Sequence, residues 1–281
     1  MVDLTARATQ LARSLLGRKG PIALPEETPL YLYYAGHTDT GRRREHNEDA
    51  YGLSAEANVF VVADGLGGYA AGEIASQLAV DTITGFLTAI LKDDELTWPC
   101  ARDKTLTPEE NLLKSAIVLA NDRIRQAAQD DQQYQGMSST IVGLYFAGNR
   151  CIVGHVGDSR CYRLRAGTLE RLTEDHSLMN AMKKSLGGEV DERTFPMRNI
   201  ILRALGQKDR VKVDVQSTEV RTGDLFLLCT DGLTGELDDN GIQELAVRHA
   251  ERPERLCRVL VDAACERGGR DNVTVLAIRA E

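Results

Sequence analysis

The sequence predicts an α+β domain built of stacked layers. Three observations carry this. Short apolar runs crowd the middle of the chain, turn signals split them into hairpins, and helical periodicities come in pairs on either side. A parallel βαβ series would instead alternate strand and helix throughout.

Taken in order, residues 4–16, "LTARATQLARSLL", read as a short helix that Asp3 can cap and Gly17 can stop. Arg7 and Arg13 give it a basic side. A segment this short is read as a frayed or docked helix in preference to a membrane-surface or targeting device. Pro21, Pro25 and Pro29 mark a linker, so residues 1–30 are set apart from a domain over 31–281. Residues 31–37 and 58–63 read as strands, 70–91 as a helix, 93–108 as a loop and 109–129 as a second helix. From residue 139, short β-rich runs are divided at Gly148-Asn149 and Ala166-Gly167, which predicts antiparallel hairpins. Residues 177–207 show no clean periodicity. A buried strand, "DLFLLC" at 224–229, is followed by helices near 240–250 and 253–267 and by a last strand, "NVTVLAIR".

Bulk properties narrow the function. With 34 Lys and Arg against 42 Asp and Glu, the net charge is -8, which argues against a nucleic-acid protein. Cys100, Cys151, Cys161, Cys229, Cys257 and Cys265 include no CxxC pair. They read as thiols of a reducing compartment, not as a disulfide or zinc framework. No run has the length of a membrane span and no signal peptide opens the chain, so a cytoplasmic protein is expected.

The most informative stretch is "VVADGLGGY", residues 61–69, where an apolar run ends on Asp64 and glycines follow. The same pattern recurs. Asp231 ends a strand in "FLLCTDG", Asp158 follows one in "GHVGDSR", Asp271 precedes one in "GGRDNVTVLAIR", and Glu48 and Asp49 precede one in "REHNEDAYG". Each acid alone is read first as a turn residue. Gathered at one end of a layered domain, they would repel one another unless a divalent cation sat among them. An all-oxygen set suits Mg²⁺ or Mn²⁺ better than Zn²⁺. Gly65 then has a reason, since a backbone carbonyl nears a metal only where no side chain obstructs it. "GLGG" before a helix is also compatible with a phosphate cradle, but the Walker Lys-Ser/Thr is missing.

Five motifs, "GRRREHNEDAY", "FVVADGLGGYAAGEIAS", "HVGDSRCYRLRAGTLERLTEDHSL", "LLCTDGL" and "GGRDNVTVL", stand in one order over residues 33–279. In this they resemble the bacterial branch of the type 2C (PPM) metal-dependent Ser/Thr protein phosphatases. The resemblance implies a four-layer α-β-β-α sandwich, two antiparallel sheets flanked by helix pairs. It implies hydrolysis of phosphoserine and phosphothreonine by a water activated between two Mn²⁺ or Mg²⁺ ions, with no phosphoenzyme. By the same resemblance Asp64 bridges both ions, Gly65 offers its carbonyl, Asp231 and Asp271 complete one ion's site, and Asp49 with Glu48 serves the other, mainly through water. Arg44 grips the substrate phosphate, whereas Arg42 and Arg43 are read as solvated.

This sequence departs from the pattern at Leu66, where eukaryotic members carry a His proposed as general acid, and at Met137-Ser138-Ser139-Thr140. A third, weaker ion in the family uses Asp158, Asp231 and an Asp at the position of Gly235, so its ligand set here is short. His155 is read as packed in a strand, and His176 as opening a flap over 177–207 that tunes substrate choice. Flap residues Lys183, Lys184, Arg193 and Arg198 are read as solvated. Expected partners are phosphoproteins, including a Ser/Thr kinase of the same cell and its targets, with the chain a monomer. The rival readings are a phosphoprotein-binding scaffold that has lost catalysis and a phosphate-binding module built on "GLGG".

Overall fold

The computed structural model describes residues 22–23, 30–68, 70–92, 99–185, 197 and 200–281. The expected helix at 4–16, with Pro21, Pro25, Pro29, Arg193 and Arg198, lies outside them. The strands are β1 (Ile22–Ala23), β2 (Tyr31–Asp39), β3 (Asp49–Ser54), β4 (Val59–Leu66), β5 (Ser138–Ser139) and β6 (Ile141–Ala147). They continue with β7 (Arg150–Val156), β8 (Arg160–Arg165), β9 (Thr168–Arg171), β10 (Asp214–Glu219), β11 (Leu225–Cys229) and β12 (Val273–Ala280). The helices are α1 (Ala70–Ile90), α2 (Pro108–Asp130), α3 (Leu178–Ser185), α4 (Asp231–Thr234), α5 (Asp239–His249) and α6 (Pro253–Arg267).

One sheet runs β1-β2-β12-β11-β8-β9 and the other β10-β7-β6-β4-β3, with β5 paired to the end of β4. Every pairing is antiparallel. Three apolar clusters define the layers. Phe60, Val62, Phe146, Phe226 and Leu276 fill the space between the sheets. Val59, Val61 and Ala63 face the opposite way, onto α1 and α2. Leu227, Val275 and Ala277 face α5 and α6. The expected four-layer sandwich is the observed one.

Strand parity places the site. Along β4 the residues alternate between faces, so the side that carries Phe60 and Val62 inward also carries Asp64. Two helix starts follow their local sequence. Thr107 Oγ1 accepts the Glu110 N–H, Glu110 Oε2 accepts the Thr107 N–H, and Pro108 opens α2. Pro253 opens α6, and Gly268 ends it.

Several elements were not legible, among them α4, where the sequence reads Asp231-Gly232 as a turn. Ile22–Ala23, inside the expected linker, pairs with Tyr31 and Leu32. β10 has no apolar alternation because it is an edge strand held by β7. α3 forms in a stretch without periodicity, its first turn beside the bridge between Ser177 and Ile201. Among the described residues, no helix is long and apolar enough to cross a membrane. Cys151, Cys161, Cys229, Cys257 and Cys265 are buried thiols.

Candidate metal centre and phosphate site

Five carboxylates from five separate segments meet at one end of the sandwich. Asp64 sits on the last turns of the β4 ladder, with its backbone clamped on both sides. Its N–H donates to Thr140 Oγ1 at 3.0 Å, and its carbonyl accepts from the Thr140 N–H at 2.9 Å and from Ser139 Oγ at 3.0 Å. Asp49 opens β3 opposite Asp64. Asp231 begins α4 straight after β11, Asp271 lies two residues before β12, and Asp158 lies two residues after β7.

The electrostatics follow from that crowding. Burial, followed by the charges of Asp49, Asp231, Asp158 and Asp271, holds the Asp64 carboxyl well above the usual range. Burial pushes Asp49 up to about 7, against the pull of two hydroxyl donors, and Asp158 up to about 8. The Asp49 displacement corresponds to roughly 4 kcal/mol against the ionised form, far more than a surface turn residue meets. Asp231 is raised by burial and then by Asp271.

Two observations show what the cluster fits. Oδ1 of Asp158 and Oδ1 of Asp231 are buried with no hydrogen-bond partner. Both residues line one cavity of about 660 Å³ that also touches Asp271. Orphaned acceptor oxygens among like charges lack a cation, and an all-oxygen donor set selects a hard divalent one.

Arg44 donates from Nη2 to Asp271 Oδ2 at 2.9 Å, which brings its guanidinium to the rim of the cluster. Asp271 Oδ1 accepts the Asn272 N–H at 2.9 Å. Arg42 contacts Asp39 at 3.7 Å from an exposed position. Glu48 is anchored through its backbone, its N–H on Asn272 Oδ1 and its carbonyl accepting from Gly65 N–H and Ser76 Oγ. Burial raises the Glu48 carboxyl, partly offset by Arg44. Its Oε2 lies 1.8 Å from where a Cβ on Gly72 would stand. Gly65 is as constrained, since a Cβ there would lie 2.1 Å from the Gly72 carbonyl oxygen. Its glycine thus has a packing reason besides the one expected from its carbonyl.

Gly235 brings no carboxylate, and Glu236 does not replace it. The Glu236 side chain is 4% exposed and grips Arg270, accepting from Nε at 2.9 Å and Nη2 at 3.1 Å. Of the three carboxylates expected for a third ion, Asp158 and Asp231 are present.

His155 and His176 are both buried. His155 and His176 stack with centroids 4.6 Å apart, and His155 Nε2 bonds the Glu174 carbonyl. His176 Nδ1 accepts the Gly157 N–H at 3.1 Å, and its Nε2 lies 3.1 Å from Asp214 Oδ2 and 2.9 Å from Arg203 Nη1. Arg203 donates to the other Asp214 oxygen at 3.0 Å. This clasp ties both stems of the flap to β10 and to the turn that carries Asp158. Lys184 pairs with Glu174. Sequence reasoning missed the Thr140, Asn272 and Thr230 contacts, whose only signal was their place beside the acids.

Fold and site together define a metal-dependent phosphatase class, and the chain belongs to the protein phosphatase 2C family, whose model matches residues 38–265. The serine/threonine phosphatase stp of Listeria welshimeri is 35% identical over 251 residues, covering 86% of this chain and 93% of that protein. The crystal structure of the Mycobacterium tuberculosis serine/threonine phosphatase PstP/Ppp superposes with a TM-score of 0.75 at 33% identity, covering 88% of this chain and 98% of that one. The catalytic domain of PstP in complex with two manganese ions gives 0.74 at 32% identity, covering 89% and 99%.

Proposed function

We propose that this chain is a protein serine/threonine phosphatase that works with two Mn²⁺ or Mg²⁺ ions. The carrying observation is the convergence of Asp49, Asp64, Asp158, Asp231 and Asp271, with unpartnered buried oxygens on two of them. Asp64 lies at the centre and would be shared by both ions. Asp231 and Asp271 would complete one ion's set, Asp49 and Glu48 would serve the other, and Gly65 would offer its carbonyl. Asp158 with Asp231 is all that remains for a third.

When bound, the ion pair supplies an activated water and offsets charge on the phosphoryl oxygens. The chain's own residues do the rest. The Ser139–Thr140 clamp fixes the Asp64 backbone, so the carboxylate need not reorganise during turnover. Arg44, held at the rim by Asp271, presents its remaining N–H donors to the phosphate and orients it. Leu66 provides no proton donor, so water or another group protonates the leaving Ser or Thr oxygen. With no nucleophilic side chain in these roles, phosphate passes directly to water. The partners are phosphoproteins of the cytoplasm, including a Ser/Thr kinase and its targets, and the chain acts as a monomer.

The test is hydrolysis of a phosphothreonine peptide in Mn²⁺, in chelator, and by Asp64→Asn in Mn²⁺. Turnover that needs metal and falls by about 10²–10³-fold or more in the variant supports the enzyme. A folded, metal-loaded protein without turnover would leave a phosphoprotein-binding scaffold.

A further inference from the structure

Three threonines form a directional hydrogen-bond chain that ends on Asp49. Asn47 fixes its direction. Asn47 Oδ1 accepts the Asp49 N–H at 3.2 Å, so its Nδ2 is the donor to Thr38 Oγ1 at 2.8 Å. Thr38 and Thr274 are register partners on β2 and β12, with hydroxyls 2.7 Å apart. Thr274 Oγ1 spends its proton on Asp49 Oδ2 at 2.7 Å, so the proton between the two threonines belongs to Thr38. On the other side, the Thr274 N–H donates to Thr230 Oγ1 at 3.0 Å, and Thr230 Oγ1 donates to the same Asp49 Oδ2 at 2.9 Å. Thr230 and Thr274 are fully buried.

The chain crosses the sandwich. Its donors stand on β2, β12 and the end of β11 in one sheet, while its acceptor opens β3 in the other. Both side-chain donors fall on Oδ2, which leaves Oδ1 as the oxygen directed to other work. A carboxylate without such donors can turn about its last bond. With two, it has one orientation, set relative to Asp64 across the ladder and to Asp231 beside Thr230.

We infer that Thr38, Thr230 and Thr274 are positioning residues for the ion that Asp49 would serve, fixing the carboxylate through Oδ2 and leaving Oδ1 for that role. This rests on the metal reading of Asp49. Outer groups that orient a metal-binding side chain commonly control affinity by 10–100-fold, which sets the scale of the effect.

The test is calorimetric titration of the full chain with Mn²⁺, alongside kcat and KM for a phosphothreonine peptide at several Mn²⁺ concentrations. Thr274→Val and Thr230→Val keep the shape and remove the donor. Each should weaken one of two Mn²⁺ ions about tenfold and leave the other within about twofold. Peptide KM should stay unchanged, and kcat should recover at high Mn²⁺. Thr274→Ser and Thr230→Ser should restore binding, which a purely packing role of the methyl group would not predict. Folded Val variants with unchanged affinity for both ions, or Ser variants as weak as Val, overturn the inference. If the Val variants do not fold, Thr38→Val decides. It leaves both donors on Asp49 but releases the first, and should weaken the same ion by about two- to fivefold; no change overturns the inference. A wild-type chain that binds no Mn²⁺ overturns the metal reading itself, and this inference with it.

Discussion

Asp49 and Asp64 stand directly opposite each other across the β3–β4 ladder, one register step beyond the Ala50–Ala63 pair. Like charges so placed are destabilising in any sheet. Here they share a cluster with three more carboxylates, so the end of the sandwich is built at a cost in stability.

That cost has a pH signature. In chelator, the unfolded chain releases these protons near pH 4. The folded chain keeps them longer, Asp49 to about 7 and Asp158 to about 8. Between those limits the folded state binds more protons than the unfolded one, so this contribution to stability falls as pH rises and levels off above about 8. Asp231→Asn removes one of the opposing charges. In chelator it should melt about 3–6 °C above wild type at pH 8 and close to it at pH 5, by thermal unfolding. Saturating Mn²⁺ should reverse the order. A difference that does not vary with pH would show that the acids carry no mutual repulsion.

Arg44 offers a forked donor at the rim, and its pair with Asp271 is partly exposed. Its value should therefore lie in contact with the phosphate and not in fold stability. Arg44→Ala should lower kcat/KM for a phosphothreonine peptide by about 10²-fold, chiefly through KM, with little change in melting temperature. Arg44→Lys should recover only part of this, because one ammonium cannot reproduce the fork. Steady-state kinetics decide it, and an unchanged KM in Arg44→Ala would remove Arg44 from phosphate binding.

Gly72 sets two magnitudes against each other. Within a helix, Gly→Ala ordinarily stabilises by about 1 kcal/mol. Here the new Cβ would fall 1.8 Å from Glu48 Oε2, so the carboxylate must leave its place. Gly72→Ala should weaken the Glu48-side Mn²⁺ about tenfold in a titration. A variant that is more stable and binds both ions as wild type does would mean that Glu48 serves neither.

The aromatic ladder between the sheets, Tyr34–Phe60–Phe146–Phe226, has centroids 5.2, 5.8 and 5.5 Å apart, and Phe60 is fully buried at its centre. Phe60→Ala should cost about 3–5 kcal/mol in denaturant unfolding. Phe60 also precedes Asp64 on the inward face of β4, so the loss should lower metal affinity too. A cost under about 1 kcal/mol would mean that the inter-sheet layer collapses freely around the gap.

The sequence by itself determined the elements whose signal is local. A continuous apolar run marks β4, Pro253 and Gly268 bound α6, and the turns at Gly148-Asn149 and Ala166-Gly167 divide hairpins. It also marked the acids as out of place, because a carboxylate that ends an apolar strand violates the pattern around it. Only the tertiary structure decided what has no local signal. β10 is a strand because β7 offers it an edge, and α3 is a helix because the flap stems hold its start. Thr38, Thr230 and Thr274 read as ordinary β-prone residues until two sheets bring their hydroxyls onto Asp49. The reason is physical. Burial pattern and turn chemistry are written within a few neighbouring residues, whereas a hydrogen bond across a sandwich depends on the register of strands far apart in the chain.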